Sequence, residues 1–140
     1  MSAAVSSTFF SRFDVLRLAT VFREQSRDGR KLPPHLNALL HRLAIEPERA
    51  PCEMPPDVVT MNSLARIRDC SDGKLVEYRL VYPFDADASA NRISVLTPTG
   101  SAMLGARVGD VLEIPTPGAT LRLKVDAIVY QPEADGRFDL

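Results

Sequence analysis

A chain of 140 residues, 45% hydrophobic and 25% charged, has the make-up of one ordinary globular domain, or of one domain with a small appendage. Its net charge of −1 argues against a dedicated nucleic-acid binder, which carries a basic surplus. Cys52 and Cys70 form no Cys-x-x-Cys and have no His pair nearby, so neither a disulfide scaffold nor a metal site is expected.

Met1 to Ser7 is small and polar, and it lacks the basic start and apolar run of a secretory signal. No stretch approaches the ~18 apolar residues that a membrane span needs. A cytoplasmic location with reduced thiols is expected, with no membrane partner.

Thr8 to Gln25 reads as a helix, with Phe9, Phe13, Leu16 and Thr20 along one face. Phe10, Val15, Leu18, Val21 and Phe22 spread apolar character around the rest of the cylinder. Such a helix is buried on most sides, either by a second subunit or by the chain's own C-terminal part. Ser26 to Leu32 is a polar turn centred on Asp28-Gly29. A second helix begins at Pro33-Pro34, and Leu36, Leu39, Leu40, Leu43 and Ala44 give it a clean apolar stripe. The two helices form an antiparallel hairpin. A proline-rich linker, Pro47 to Pro56, then sets a boundary near residue 51. The expected domains are 1–50, a helical hairpin, and 51–140.

The remainder is mostly strands. Arg66 to Cys70 and Leu75 to Tyr82 pair around the turn Ser71-Asp72-Gly73. Phe84 to Asn91 is a polar loop. Ile93 to Leu96 is a short strand. Thr97 is then a good N-cap, with Pro98 at the first helical position, where its missing N–H costs nothing. Ala102, Met103 and Leu104 give about two helical turns, and Gly105 suits the left-handed residue that ends them. Val111 to Ile114 is a strand stopped by Pro115 and Pro117. Thr120 to Tyr130 alternates, with a bulge or two-sided burial past Asp126. The fold class is α+β: a short helical hairpin, then a twisted antiparallel sheet crossed by one short helix.

Few residues suggest chemistry. His35 and His41 lie on different faces of the second helix, so they do not form a metal-binding pair and read as exposed structural histidines. Asp69, Asp72 and Asp110 flank turns, where carboxylates bond backbone amides. Asp85 and Asp87 read as solvated. No nucleophile–base pair, phosphate loop or dinucleotide fingerprint is visible. No catalytic residue, cofactor or metal is therefore expected.

The run Thr97-Pro98, Ala102, Leu104-Gly105, Gly109-Asp110, Pro115 and Pro117-Gly118 resembles the C-terminal domain of the bacterial Gre transcript-cleavage factors. Further matches are Glu53-Met54-Pro55, Asp57 to Ser63, Ser71-Asp72-Gly73, Leu80 to Pro83 and Tyr130 to Ala134. These are most similar to the regulator of nucleoside diphosphate kinase family, short relatives of those factors. The resemblance covers Cys52 to about Leu140. It implies an FKBP-like sheet and RNA polymerase as partner, with Thr97, Pro98, Met103 and Leu104 as contact residues. It does not imply prolyl isomerase activity, since the chain has no Trp for the aromatic pocket of those enzymes.

The cleavage factors place acidic residues at the tip of a long coiled-coil hairpin, where they help hold a catalytic Mg²⁺ in the polymerase secondary channel. A carboxylate tip suits that hard cation. Here the tip offers Glu24 and Asp28 among Arg23, Arg27, Arg30 and Lys31. An arm of ~18 helical residues reaches only ~27 Å. The expected function is a non-catalytic regulator that binds RNA polymerase near the secondary channel. The alternatives are a homo-oligomeric module that uses the apolar first helix, and a cleavage-stimulating elongation factor.

Overall fold

A computed structural model describes residues 10–26, 29, 31–45, 48–50 and 53–137. The expected polar start, Asp28 at the hairpin tip, Cys52, and Pro47 and Pro51 of the linker lie outside the described residues.

The chain runs β1 (Phe10–Ser11), α1 (Arg12–Gln25), α2 (Pro34–Ile45), β2 (Glu48–Arg49), β3 (Leu64–Asp69) and β4 (Leu75–Val81). It continues through β5 (Arg92–Ser94), α3 (Pro98–Met103), β6 (Val111–Thr116) and β7 (Ala119–Tyr130). A five-stranded sheet has the order β5-β4-β3-β7-β6. Most of its pairs are antiparallel, and β4 with β5 is parallel. The parallel pair exists because the loop after β4 carries the chain back along the sheet edge through two short 3₁₀ turns, Pro83–Asp85 and Ala88–Ala90.

The bulge near Asp126 is present. Against β3, the pairing steps from Ala127 opposite Arg66 to Val125 opposite Ile67, which leaves Asp126 unmatched. Arg68 takes up the displaced carboxylate at 3.2 Å. Pro115 does not stop its strand. It pairs with Thr120 inside β6, an edge strand, where a missing N–H breaks no ladder.

The first helix differs from its sequence reading. It starts at Arg12, because Phe10–Ser11 pairs in parallel with Glu48–Arg49. The inward stripe is Asp14, Leu18 and Phe22, while Phe13 and Leu16 on the anticipated face are 40% and 63% exposed. A carboxylate in the stripe hid it from an apolar pattern.

One hydrophobic cluster holds Phe10, Leu18, Phe22, Leu36 and Leu39 from the helices with Ile67, Leu80, Val95, Met103 and Val125 from the sheet unit. Thus α1 and α2 lie on the sheet unit and share its core. Of the two covers considered for α1, the chain's own C-terminal part takes the Leu18–Phe22 side.

Candidate functional site

The site begins where β5 ends. Val95 donates its amide to Val81 O and sinks into the core. The chain then turns outward at Leu96, whose N–H goes to Ser94 Oγ at 3.0 Å. Thr97 caps α3 as its type predicts: Oγ1 accepts the Gly100 N–H at 3.0 Å and donates to Ser94 O at 2.8 Å. Pro98 occupies the first helical position, and both residues are exposed. Gly100 packs so closely over the Ser94 carbonyl that a Cβ would collide with it.

Below the turn, the helix is fixed by burial. Met103 and Leu104 are 0% and 1% exposed. Gly105, at φ +82°, gives its amide to Val59 O at 2.8 Å, and Val59 gives its own to Ala106 O at 2.8 Å. Of the four anticipated contact residues, only Thr97 and Pro98 therefore reach the surface. Met103 and Leu104 are corrected to core residues: they are the large apolar side chains at the end of α3 and its cap, and both join the core shared by the sheet and the first two helices.

Two side chains of α2 tie this turn down. His35 Nε2 donates to Leu96 O at 2.7 Å. Arg42 reaches Ser101 O at 3.3 Å and Leu104 O at 2.8 Å, satisfying carbonyls that the end of α3 leaves open. His35 is thus half-buried and bonded rather than exposed, while His41 is exposed. Both bonds span about 60 positions of sequence, so no local pattern could reveal them. Pro34, His35 and Arg42 of α2 face Pro98 and Ala102 of α3 and Pro115 of β6 across a groove of about 360 Å³.

A second polar cluster lies under α1. Asp14 Oδ2 accepts the Met61 N–H at 3.0 Å. Thr60 Oγ1 donates to Glu133 Oε1 at 2.6 Å and meets Ser63 Oγ at 2.8 Å. Gln131 Nε2 donates to Pro55 O and Val58 O. Two separate matching motifs, Asp57 to Ser63 and Tyr130 to Ala134, are therefore one structural unit. Burial pushes the Asp14 carboxyl up to about 7 despite the Met61 amide, with Glu133 adding to the rise and Arg17 opposing it. Burial likewise raises Glu133, against its bond from Thr60, and raises the Tyr82 hydroxyl.

Glu24, the described carboxylate of the anticipated hairpin tip, is exposed. It lines a groove of about 510 Å³ with Arg17, Tyr82 and Phe84. Among the described residues, no group of three or more His, Cys, Asp or Glu could hold a metal. The turn carboxylates act on backbone as anticipated: Asp69 accepts from Ser71, Asp72 from Lys74 and Asp110 from Arg107. Asp87 does the same for Ser89 rather than being simply solvated. The bonds from Ser71 and Ser89 hold Asp69 and Asp87 below the usual carboxylate range.

Comparison with known proteins gives this geometry a context. Residues 54–130 match the family described as "Transcription elongation factor, GreA/GreB, C-term". The chain is 39% identical over 126 residues to the "Regulator of nucleoside diphosphate kinase" of Escherichia coli (strain K12), covering 89% of this chain and 90% of that one. It is 36% identical over 76 residues to "Transcription elongation factor GreA" of Syntrophus aciditrophicus (strain SB), covering 54% of this chain and 47% of that one. Its structure matches "Prokaryotic transcription elongation factor GreA/GreB from Nitrosomonas europaea" with a TM-score of 0.75 and 38% identity, over 88% of this chain and 99% of that one. With these matches in its sequence and in its three-dimensional structure, the chain belongs to the GreA/GreB transcription elongation factor family.

Proposed function

We propose that this chain is a non-catalytic transcription regulator of the bacterial cytoplasm that docks on RNA polymerase near the secondary channel. The observation that carries this reading is the Thr97–Pro98 turn. It is exposed, it stands on a helix with a buried base, and α2 braces it from the side. A rigid, projecting turn with few rotatable side chains loses little entropy on docking. It is also the part of the chain that carries the family motif. The short α1, 14 residues or ~21 Å, leans on the sheet unit rather than reaching away from it. This favours occupancy of the channel rim without stimulation of transcript cleavage.

The test is retention of the purified chain on core RNA polymerase, with a Gre factor as competitor. Pro98→Glu keeps a residue that the first helical turn accepts and changes the projecting surface. Loss of retention with an unchanged circular dichroism spectrum supports the docking face, and full retention rejects it. Unchanged cleavage by polymerase after Glu24→Ala with Asp28→Ala would support the non-catalytic reading, whereas reduced cleavage would favour a cleavage-stimulating factor.

A second reading rests on Phe13 and Leu16, exposed side by side on the outer face of α1. They favour a homo-oligomer that pairs this helix between copies. Leu16→Lys would then lower the mass measured by light scattering, and an unchanged monomer mass in both proteins removes the idea.

A further inference from the structure

Asp14 stands where a packed helix normally presents leucine. It shares its stripe with Leu18 and Phe22 and is fully buried between α1 and the sheet unit. Its Oδ2 accepts one amide, Met61 N–H, and its Oδ1 has no hydrogen-bond partner. An ionised carboxylate has about four acceptor positions to fill, so a single donor leaves the ion poorly served. A neutral carboxyl in the same place leaves one hydroxyl unsatisfied, which costs far less than a buried charge.

The surroundings do not rescue the ion. From its own helix, Arg17 acts on Asp14 through space. From the segment after β7, Glu133 opposes it with a like charge. From the end of β4, Tyr82 presents a buried hydroxyl without a well-formed partner. One cation and one anion flank the site, and the anion, Glu133, has the larger influence, so the cation does not compensate the buried charge.

We propose that the seat of α1 is proton-controlled: neutral Asp14 holds the helix on the sheet unit, and ionisation of Asp14 loosens the helix while the sheet stays folded. The sheet can stay because every strand of its ladders lies within residues 64–130, and α1 contributes none. The direction follows from the raised pKa of the seated carboxyl. The folded-state value of about 7 lies above the ordinary 3.8, so the seated helix binds the proton more tightly than the released one. The stabilisation is complete below pH ~4 and is lost as the pH rises through about 7.

Hydrogen exchange on the full chain at several pH values between ~4.5 and ~8.5, spanning the window from the ordinary to the raised value, tests this. The α1 amides are read relative to β7 amides, which cancels the intrinsic effect of pH on exchange. In the wild type, relative protection of α1 should fall about tenfold for each pH unit between pH ~4 and about 7 and level off above that. Asp14→Asn keeps an acceptor for the Met61 amide but cannot ionise, and its ratio should stay flat. A carbon-13 titration of the wild-type Asp14 carboxyl needs no variant and should show a midpoint near neutrality. A pH-independent α1 ratio in the wild type, loss of β7 protection in step with α1, or a midpoint in the ordinary carboxylate range would each overturn the proposal.

Discussion

Residues 64–130 and residues 10–49 feed the same core, yet they are attached to it by different forces. The sheet unit is tied by continuous ladders, in which β7 alone pairs with β3 along one edge and β6 along the other. The helices contribute two or three buried side chains each, and long-range bonds from Asp14, His35 and Arg42 set their position. A ladder is redundant: many equivalent bonds share the load. A helix seated by a few specific side chains is not, and each of those groups becomes a place where solvent conditions or a partner can act.

That contrast can be broken at its most robust point first. Met103→Asp places an unpaired charge in the sheet core, where the wild-type side chain is fully buried. A loss of more than about 4 kcal/mol is expected, seen as a lost or strongly lowered thermal transition in circular dichroism. Gly100→Ala drives a methyl group into the Ser94 carbonyl and should cost ~3 kcal/mol, because backbone rather than a movable side chain is in the way.

The helix side of the comparison gives smaller effects. Arg42→Ala removes two bonds to α3 carbonyls and the contact of its guanidinium with the Phe10 ring. About 2 kcal/mol is expected from denaturant midpoints, with early loss of protection in α2. Thr97→Ala removes the cap of α3 and should cost ~1 kcal/mol while leaving the sheet transition cooperative. Smallest of all, Glu77→Ala breaks a half-exposed pair with Arg66 on the outer sheet face and should stay within ~0.5 kcal/mol. A larger effect there would mean that the ladders are less redundant than described.

Local signals carried much of this molecule into its sequence. Thr97 and Pro98 announce the start of α3 because capping chemistry is a property of neighbouring residues. The turn around Ser71-Asp72-Gly73 was legible for the same reason. The alternation of Leu121, Leu123 and Val125 gave the buried face of β7, and the break at Asp126 gave its bulge. The family motifs, read from Glu53-Met54-Pro55 through Tyr130 to Ala134, pointed to the right fold.

Tertiary structure decided the rest, wherever the partner of a side chain lies far along the chain. Periodicity chose the wrong face of α1, because it counts apolar residues and the true stripe contains Asp14. It could not show that Asp14 meets Met61, that His35 meets Leu96, or that Thr60 meets Glu133. It left Met103 and Leu104 open to the surface, where only the position of α3 across the sheet shows them buried. By itself, the sequence determined most of the elements, the cap of α3 and the family, since these depend on residues within a few positions of one another. Which faces are inward, which polar groups are buried, and what holds the helices down depend on contacts between distant segments, and those exist only once the chain has folded.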